Sequence, residues 1–428
     1  MPIFIAKILK RTIVLLIKIK AMKISLLTVF LFAASLPMFA QTDCGETRYT
    51  TRLFTEIDSI KNVTYGSNTS QLGLPKTLKM DVYMPANDAL TERPVILLAF
   101  GGSFVFGNRR DMRPLCVEYA SRGFVTVTID YRLYDNLFQQ PDTIIAYDVV
   151  TEAVGDMRAA LRKVREIAKD GNPYAIDTNM IFVGGISAGG IVANHVAYLD
   201  DNDAVSPALD SIIASNDGLD GNSSDNFQFS SKVSGVLNFS GALNRAYWIN
   251  AGEPPLFSVH EEFDQTVPYG AGITTSLGSP VDLSGSGAMH PIAEAAGIKN
   301  ELITIEGSNQ HVGYFATGNQ TEIYSTIIES SSAFLKEIIC PFPSATAEIE
   351  TADLATLFPN PSAGSFRFSG ISSPTYKYTV IDQLGKIHAS GTARNEQEIN
   401  LNHLSTGVYF VRLEVKNDVK TLKWVVQK

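Results

Sequence analysis

Apolar and polar positions alternate along the middle of the chain in two rhythms. LKMDVYMP (78–85) has the two-residue period of a half-buried strand, whereas PVILLAFGG (94–102) and GFVTVTIDY (123–131) are continuous apolar or β-branched runs of the kind buried on both faces. Between them, Met112 to Ser121 has helical character, and Tyr147 to Lys169 carries Val150, Ala153, Val154, Met157, Leu161, Val164 and Ile167 near the 3.6 period. The rhythm continues with a strand Met180 to Val183, a helix Ala188 to Tyr198, and strands Val233 to Phe239, Leu256 to Val259 and Leu302 to Ile305. Strands alternating with helices predict an α/β fold, a mostly parallel sheet with helices on both faces. Two stretches interrupt it: 200–231, rich in Asp, Asn, Ser and Gly, and the Gly/Ser-rich 270–290, both expected as surface insertions.

The ends read differently. From Met22, MKISLLTVFLFAASLPMFA has the basic, apolar and small-residue regions of a signal peptide, with cleavage expected after Ala40 and residues 1–21 upstream of the true start. No membrane span is then expected in the mature protein. The catalytic domain is expected over 41–340 and a linker over 341–355, followed by short alternating strands with Gly and Asn turns over 356–428, a small all-β sandwich.

The formal charge of −9 hides a steep regional imbalance. Residues 1–40 hold six Lys/Arg and no acid, and 354–428 hold nine bases against five acids, which leaves 41–353 at −19. Such a surface repels phosphate backbones, so nucleic acid is excluded as a partner. With no close pairing of Cys44, Cys116 and Cys340 and six scattered histidines, neither a metal nor a cofactor is implied.

The chemistry lies in Gly184-Gly185-Ile186-Ser187-Ala188-Gly189-Gly190, a G-x-S-x-G pattern directly between a predicted strand and a predicted helix. That setting is the nucleophile elbow, where a serine sits on a strained turn and glycines allow tight packing. A serine hydroxyl needs a histidine base, and the histidine needs a carboxylate to fix its tautomer. His388 and His403 lie in the tail, and His195 is expected to point away from the elbow. His260 is read as structural and His290 as solvated in a flexible stretch. His311, in a loop after Leu302 to Ile305, is the expected base. The acid follows a late strand, and PPLFSVHEEFDQTVPY (254–269) offers Asp264, with Glu261 and Glu262 read as a solvated pair. Backbone N–H groups of Gly102, Ser103 and Ala188 are the expected oxyanion donors.

LKMDVYMP, FGGSF (100–104), IDYRL (129–133), GGISAGG, HEEFDQTVPY and the His311 loop resemble the α/β-hydrolase fold over residues 78–340. Within that fold the chain is similar to carboxylesterases related to hormone-sensitive lipase and to bacterial feruloyl and acetylxylan esterases. Phe100 stands where that family usually has His, and Asp130, Tyr131 and Arg132 are read as bracing the fold. The tail, with LFPNPSAGSF, VIDQLGKI, LSTGVYFVRL and TLKWVVQK, resembles the C-terminal sorting domain of type IX secretion cargo in Bacteroidota. The resemblances imply a secreted or cell-surface serine esterase handled by the type IX secretion machinery. Its expected substrate is a small-molecule or polysaccharide ester, with a short acyl chain and polar rims from the two insertions. A serine peptidase of the same fold and a non-catalytic adhesion module are the competing readings. Because domain termini often lie close together, Cys44 and Cys340 are expected to form the disulfide, with Cys44 to Cys116 the open alternative.

Overall fold

The computed structural model describes residues 44–45, 47–136, 138–275, 278, 280–316, 321–341, 355–371, 373–382, 386–415 and 418–428. The expected signal peptide and upstream extension, and all of the expected linker except Pro341 and Ala355, lie outside them. The chain divides into two compact units, up to Phe342 and from Pro343.

The first unit is built on an eight-stranded sheet: β1 (Ile57–Thr69), β2 (Pro75–Pro85), β3 (Arg93–Ala99), β4 (Val125–Ile129), β5 (Ile176–Ile186), β6 (Val236–Phe239), β7 (Leu256–Glu261) and β8 (Asn300–Ile305). Their spatial order is β1-β2-β4-β3-β5-β6-β7-β8. From β4 through β8 every pairing is parallel, and only β1 with β2 and β2 with β4 are antiparallel. Every residue of β3 and β4 is buried, as an apolar run covered on both faces requires. The expected α/β architecture is therefore present.

Six helices matter to the site: α1 (Arg113–Ala120), α2 (Thr143–Lys169), α3 (Ala188–Tyr198), α4 (Pro207–Ser215), α5 (Ser286–Ala295) and α6 (Glu322–Ile339). The helix predicted from Tyr147 starts earlier, because Asp142 caps it by accepting the Ile145 N–H at 2.9 Å. Strand β1 has no apolar run; eight of its positions are exposed, and it pairs only with β2 at the sheet edge.

Both predicted insertions hold more regular structure than surface loops would. Residues 200–231 include α4 and send Leu209, Ile212 and Leu219 into the interior. The segment is pinned to α2 by Asn216, whose amide donates to Asp148 at 2.8 Å, and by Ser223, which donates to Asp156. The backbones touch where Gly221 meets Gly155: a Cβ on Gly155 would come 3.1 Å from the Gly221 Cα. The second stretch forms strands at 271–274 and 281–285 and then α5. His290 is thus not solvated. It is 6% exposed on α5, with Nδ1 2.9 Å from Asn300 Oδ1.

The second unit holds two antiparallel sheets, one of strands 356–358, 365–369 and 399–400, the other ordered 387–394, 375–382, 407–415, 418–426. Phe366, Phe368, Val411 and Trp424 are fully buried between them, and the Trp424 indole donates to Ser362 Oγ at 2.9 Å. Among the described residues no helix is long and apolar enough to cross a membrane.

Cys44 and Cys340 form the disulfide with Cα atoms 5.8 Å apart, and Cys116 is a buried thiol. The bridge closes a loop of 296 residues, so it removes much of the unfolded chain's freedom. Replacing both cysteines by serine should destabilise the first unit by several kcal/mol, on the order of 5 at most. A thermal melt of the double variant should show a midpoint several degrees lower, and an unchanged midpoint would refute the account.

Candidate active site

Strand β5 delivers the chain to Ser187, and α3 leaves from it. Ser187 sits at φ 54°, ψ −117°, outside the regions an L-residue normally occupies. Its strained turn is held by contact rather than by capping. A Cβ on Gly189 would lie 2.1 Å from the Ala99 carbonyl oxygen, and one on Gly185 would lie 2.3 Å from the Gly189 carbonyl carbon. Only glycine lets α3 press this closely against β3 and β5, and the Ser187 N–H donates to the Phe239 carbonyl at 2.8 Å. The hydroxyl is thereby fixed at the carboxyl end of the sheet.

His311 comes from the loop after β8, and Asp264 from the loop after β7. The structure brings the three together: His311 Nε2 is 2.7 Å from Ser187 Oγ, and His311 Nδ1 is 2.6 Å from Asp264 Oδ2. A carboxylate only accepts, so Nδ1 carries the proton and Nε2 presents its lone pair to the serine hydroxyl. Asp264 Oδ1 accepts the N–H groups of Thr266 and Val267 at 2.8 and 3.0 Å. Burial opposes ionisation of this carboxyl. Hydrogen bonds from His260, His311 and the Thr266 N–H outweigh it and hold the group well below the usual carboxylate range.

His260 is fully buried beside the acid, not beside the serine. Its Nε2 donates to the Val267 carbonyl at 3.1 Å and lies 3.4 Å from Asp264 Oδ2, while Nδ1 is 2.9 Å from Ser286 Oγ. It therefore braces the Asp264 loop from behind.

Glu261 corrects the expectation of a solvated pair. It is 0% exposed, because β7 runs on through it and the His311 loop folds over its end. One oxygen accepts the Gly313 N–H at 2.7 Å and the other the Ser240 hydroxyl at 2.7 Å. Ser240 also meets the Tyr314 hydroxyl at 2.7 Å. Glu261, Ser240 and Tyr314 thus fix the backbone two residues beyond His311, and sequence reasoning missed them. Glu262 is partly exposed and accepts the Gly307 N–H at 2.9 Å.

The Phe100 to Phe104 turn lies against the elbow: a Cβ on Gly101 would be 3.2 Å from the Ser187 Cβ. Gly102, Ser103 and Phe104 all have positive φ, and the Gly102 carbonyl is turned away to accept from Val105 and Phe106. Among the described residues no backbone carbonyl accepts from the N–H of Gly102, Ser103 or Ala188. Phe100 is buried and stacks on Tyr131 with ring centroids 4.3 Å apart, and the Tyr131 hydroxyl donates to the Phe100 carbonyl at 2.8 Å. Arg132 reaches Asp156 and Glu152 at 2.9 Å each, and Asp130 takes Arg109 at 2.7 Å.

A slot opens beside Ser187. It is walled by Ala146, Val150 and Val154 of α2, Ile191 and His195 of α3, Leu199, Leu209, Leu219, and Thr274, Val281 and Leu283. His195, expected to point away from the elbow, lines this slot two helical turns beyond Ser187. Its Nδ1 donates to the Ile191 carbonyl at 2.8 Å and its Nε2 accepts the Asn244 N–H at 3.2 Å, which fixes a neutral ring.

Residues 80–246 match the family model described as BD-FAE, and residues 356–427 match the secretion system C-terminal sorting domain. The first match places an esterase-like α/β-hydrolase domain within the first unit, over residues 80–246. The second is a sorting domain, which indicates secretion to the cell surface by the type IX system. Among solved structures, esterase 2 of Thermogutta terrifontis phosphoramylated by tabun is similar at 22% identity, with 65% of this chain and 94% of that chain covered and a TM-score of 0.48. The native form of the same esterase is 23% identical, covering 71% and 100%, with a TM-score of 0.45. A curated relative, the non-reducing polyketide synthase pkbA of Emericella nidulans, is 28% identical over 143 residues, 33% of this chain. The match spans only 5% of that relative's length.

Burial lowers the His195 and His290 rings to about 4, against the hydrogen bonds to Ile191 and Asn300 that favour the charged forms. In the unfolded chain each protonates near pH 6.5. Their stability contribution is full above that pH and is lost as pH falls toward 4, because the unfolded chain takes up the protons first. The slope reaches about 1.4 kcal/mol per pH unit for each ring. Asp264 acts lower: its stabilisation is lost only as pH drops below the normal carboxylate range. Thermal midpoints from pH 7 to 4 should therefore fall, and His290→Gln should flatten the fall; an identical pH profile would reject the assignment.

Proposed function

We propose that this hydrolase is a secreted serine carboxylic-ester hydrolase working through an acyl-Ser187 intermediate. The observation that carries the reading is the unbroken chain from Ser187 Oγ to His311 Nε2 at 2.7 Å and from His311 Nδ1 to Asp264 at 2.6 Å. Ser187 Oγ attacks the ester carbonyl carbon while its proton passes to His311 Nε2. Charge on the carbonyl oxygen is taken by the N–H groups of Gly102, Ser103 and Ala188. The C–O bond to the alcohol then breaks, and His311 returns the proton to the leaving oxygen. Water, deprotonated by His311 Nε2, attacks the acyl carbonyl carbon; the C–O bond to Ser187 breaks, His311 returns the proton to Ser187 Oγ, and the carboxylic acid is released. Asp264, ionised throughout, steadies the imidazolium and fixes its tautomer.

Short-chain or carbohydrate-linked esters are the proposed substrates. The −19 balance over 41–353 disfavours anionic lipid surfaces, and Leu199, Leu209 and Leu219 limit the slot beside the serine. That wall is apolar, however, so the polar rims expected from the insertions do not reach the serine itself.

Ser187→Ala should abolish ester hydrolysis without changing the melting temperature appreciably, and His311→Ala should be nearly as severe. Asp264→Asn should lower kcat by roughly 10³ to 10⁴ through the wrong tautomer. Steady-state assays on a nitrophenyl ester check all three, and full activity of the Asp264 variant would move the acid elsewhere.

Residues 356–428 are proposed to be dispensable for chemistry, since Ser187, Asp264 and His311 all lie in the first unit. Purified protein lacking them should keep its kcat/KM, while in the host the truncated form should accumulate in the periplasm. Loss of activity in the pure truncation would contradict this division of labour.

A further inference from the structure

The slot beside Ser187 has a direction. Its residues on α3, Ala188, Ile191 and His195, with Leu199 just beyond, recur about one helical turn apart, so it runs along the helix away from the elbow. Between Ser187 and His195 the helix advances about 12 Å at 1.5 Å per residue. The facing wall is the matching stripe of α2, Ala146, Val150 and Val154, and Leu209 and Leu219 of the 200–231 segment also line the slot. Nearly all of this lining is hydrocarbon.

Which part of an ester enters follows from where the proton must go. The leaving alcohol oxygen takes its proton from His311 Nε2, so the alcohol must depart on the His311 side of the serine. At the serine the slot is bounded by Ser103 and Ala188, two of the proposed oxyanion donors, and by Val267 of the Asp264 loop, whereas His311 itself does not line it. A carbonyl whose oxygen points at those donors and whose alcohol points at His311 has its acyl carbon chain as the remaining substituent.

Resting on the esterase reading above, we infer that this slot is the acyl pocket and that Leu209 and Leu219 set the length of aliphatic acyl group it accepts. The alcohol half lies outside the slot, which leaves its size and polarity open to bulky, hydrated groups. Specificity of this kind is thus placed on a segment that the sequence presents as polar insertion. Asn216, Ser223 and Gly221 anchor the segment to α2, so both leucines are held in position by bonds outside the slot.

The test measures kcat/KM for two ester series: nitrophenyl acetate, butyrate and octanoate, which vary the acyl group, and ethyl, butyl and octyl acetate, which vary the alcohol. Leu209→Ala and Leu219→Ala widen the slot, and Leu209→Phe narrows it. Each additional buried methylene is worth about fourfold, so two finding room should raise the octanoate-to-butyrate ratio about tenfold or more in the alanine variants. Leu209→Phe should shift the ratio the other way. The octyl-to-ethyl acetate ratio should stay within about twofold of the parent. Melting curves establish that each variant is folded, and the opposing phenylalanine variant guards against a general loss of packing.

Movement of the alcohol series in place of the acyl series would overturn the assignment, as would acyl ratios unchanged in all three variants of an active parent. Labelling with a fluorophosphonate separates the two levels. A parent that neither labels at Ser187 nor turns over any ester refutes the esterase reading, and the pocket assignment falls with it; a labelled, active parent with immovable ratios refutes the pocket assignment alone.

Discussion

The close approach of α3 to β3 and β5 is the constraint on which the remainder of the site depends. With a side chain at 185 or 189 the helix would have to withdraw, since a Cβ there meets backbone at 2.1 to 2.3 Å. Ser187 would then relax from its strained turn, and its hydroxyl would leave the carboxyl end of the sheet. The strain, of order 1–3 kcal/mol, is sustained by the buried parallel sheet on one side and the apolar body of α3 on the other. A rigid nucleophile makes sense only if its partners are equally fixed.

That second fixation is electrostatic and lies behind the contacts of His311 with Ser187 and Asp264. Asp264 stays ionised while buried because donors from His311, Thr266 and Val267 converge on it, with the His260 ring 3.4 Å away. Glu261 does for the His311 loop what those donors do for the acid, accepting one backbone N–H and one hydroxyl. Two adjacent loops are therefore each tied to a carboxylate, and only one of the two carboxylates touches the histidine.

How much of this was legible follows from what each feature needs locally. The sheet and its helices were, because β3, β4 and the second half of β5 are apolar runs that no solvated segment could carry. Ser187, Asp264 and His311 could be named because an elbow flanked by glycines leaves few positions in chain order for its partners. Glu261 was hidden by composition: in HEEFD nothing distinguishes a carboxylate on the buried end of a strand from its exposed neighbour Glu262. His290 was misjudged because the glycines and serines before it mask a helix that begins at Ser286. Strand β1 was missed because a polar edge strand owes its place to pairing with β2 rather than to its own pattern.

The 200–231 segment shows the same limit from another side. Its Asp, Asn and Ser content reads as solvated loop, and much of it is exposed, yet Asn216, Ser223, Ser224 and Asn226 bond to side chains of α2 while Leu209 and Leu219 turn inward. Asp156 is the pivot: it receives Arg132, from the run that also supplies Tyr131 beneath the Phe100 turn, and Ser223 of the insertion. One buried carboxylate thus joins the Phe100 to Phe104 turn, the long helix α2 and the wall of the slot. Breaking that pairing would leave an uncompensated charge in the interior, which costs more than the pairing itself contributes. The polar residues that made the segment look like surface are what allow its apolar residues to line the site.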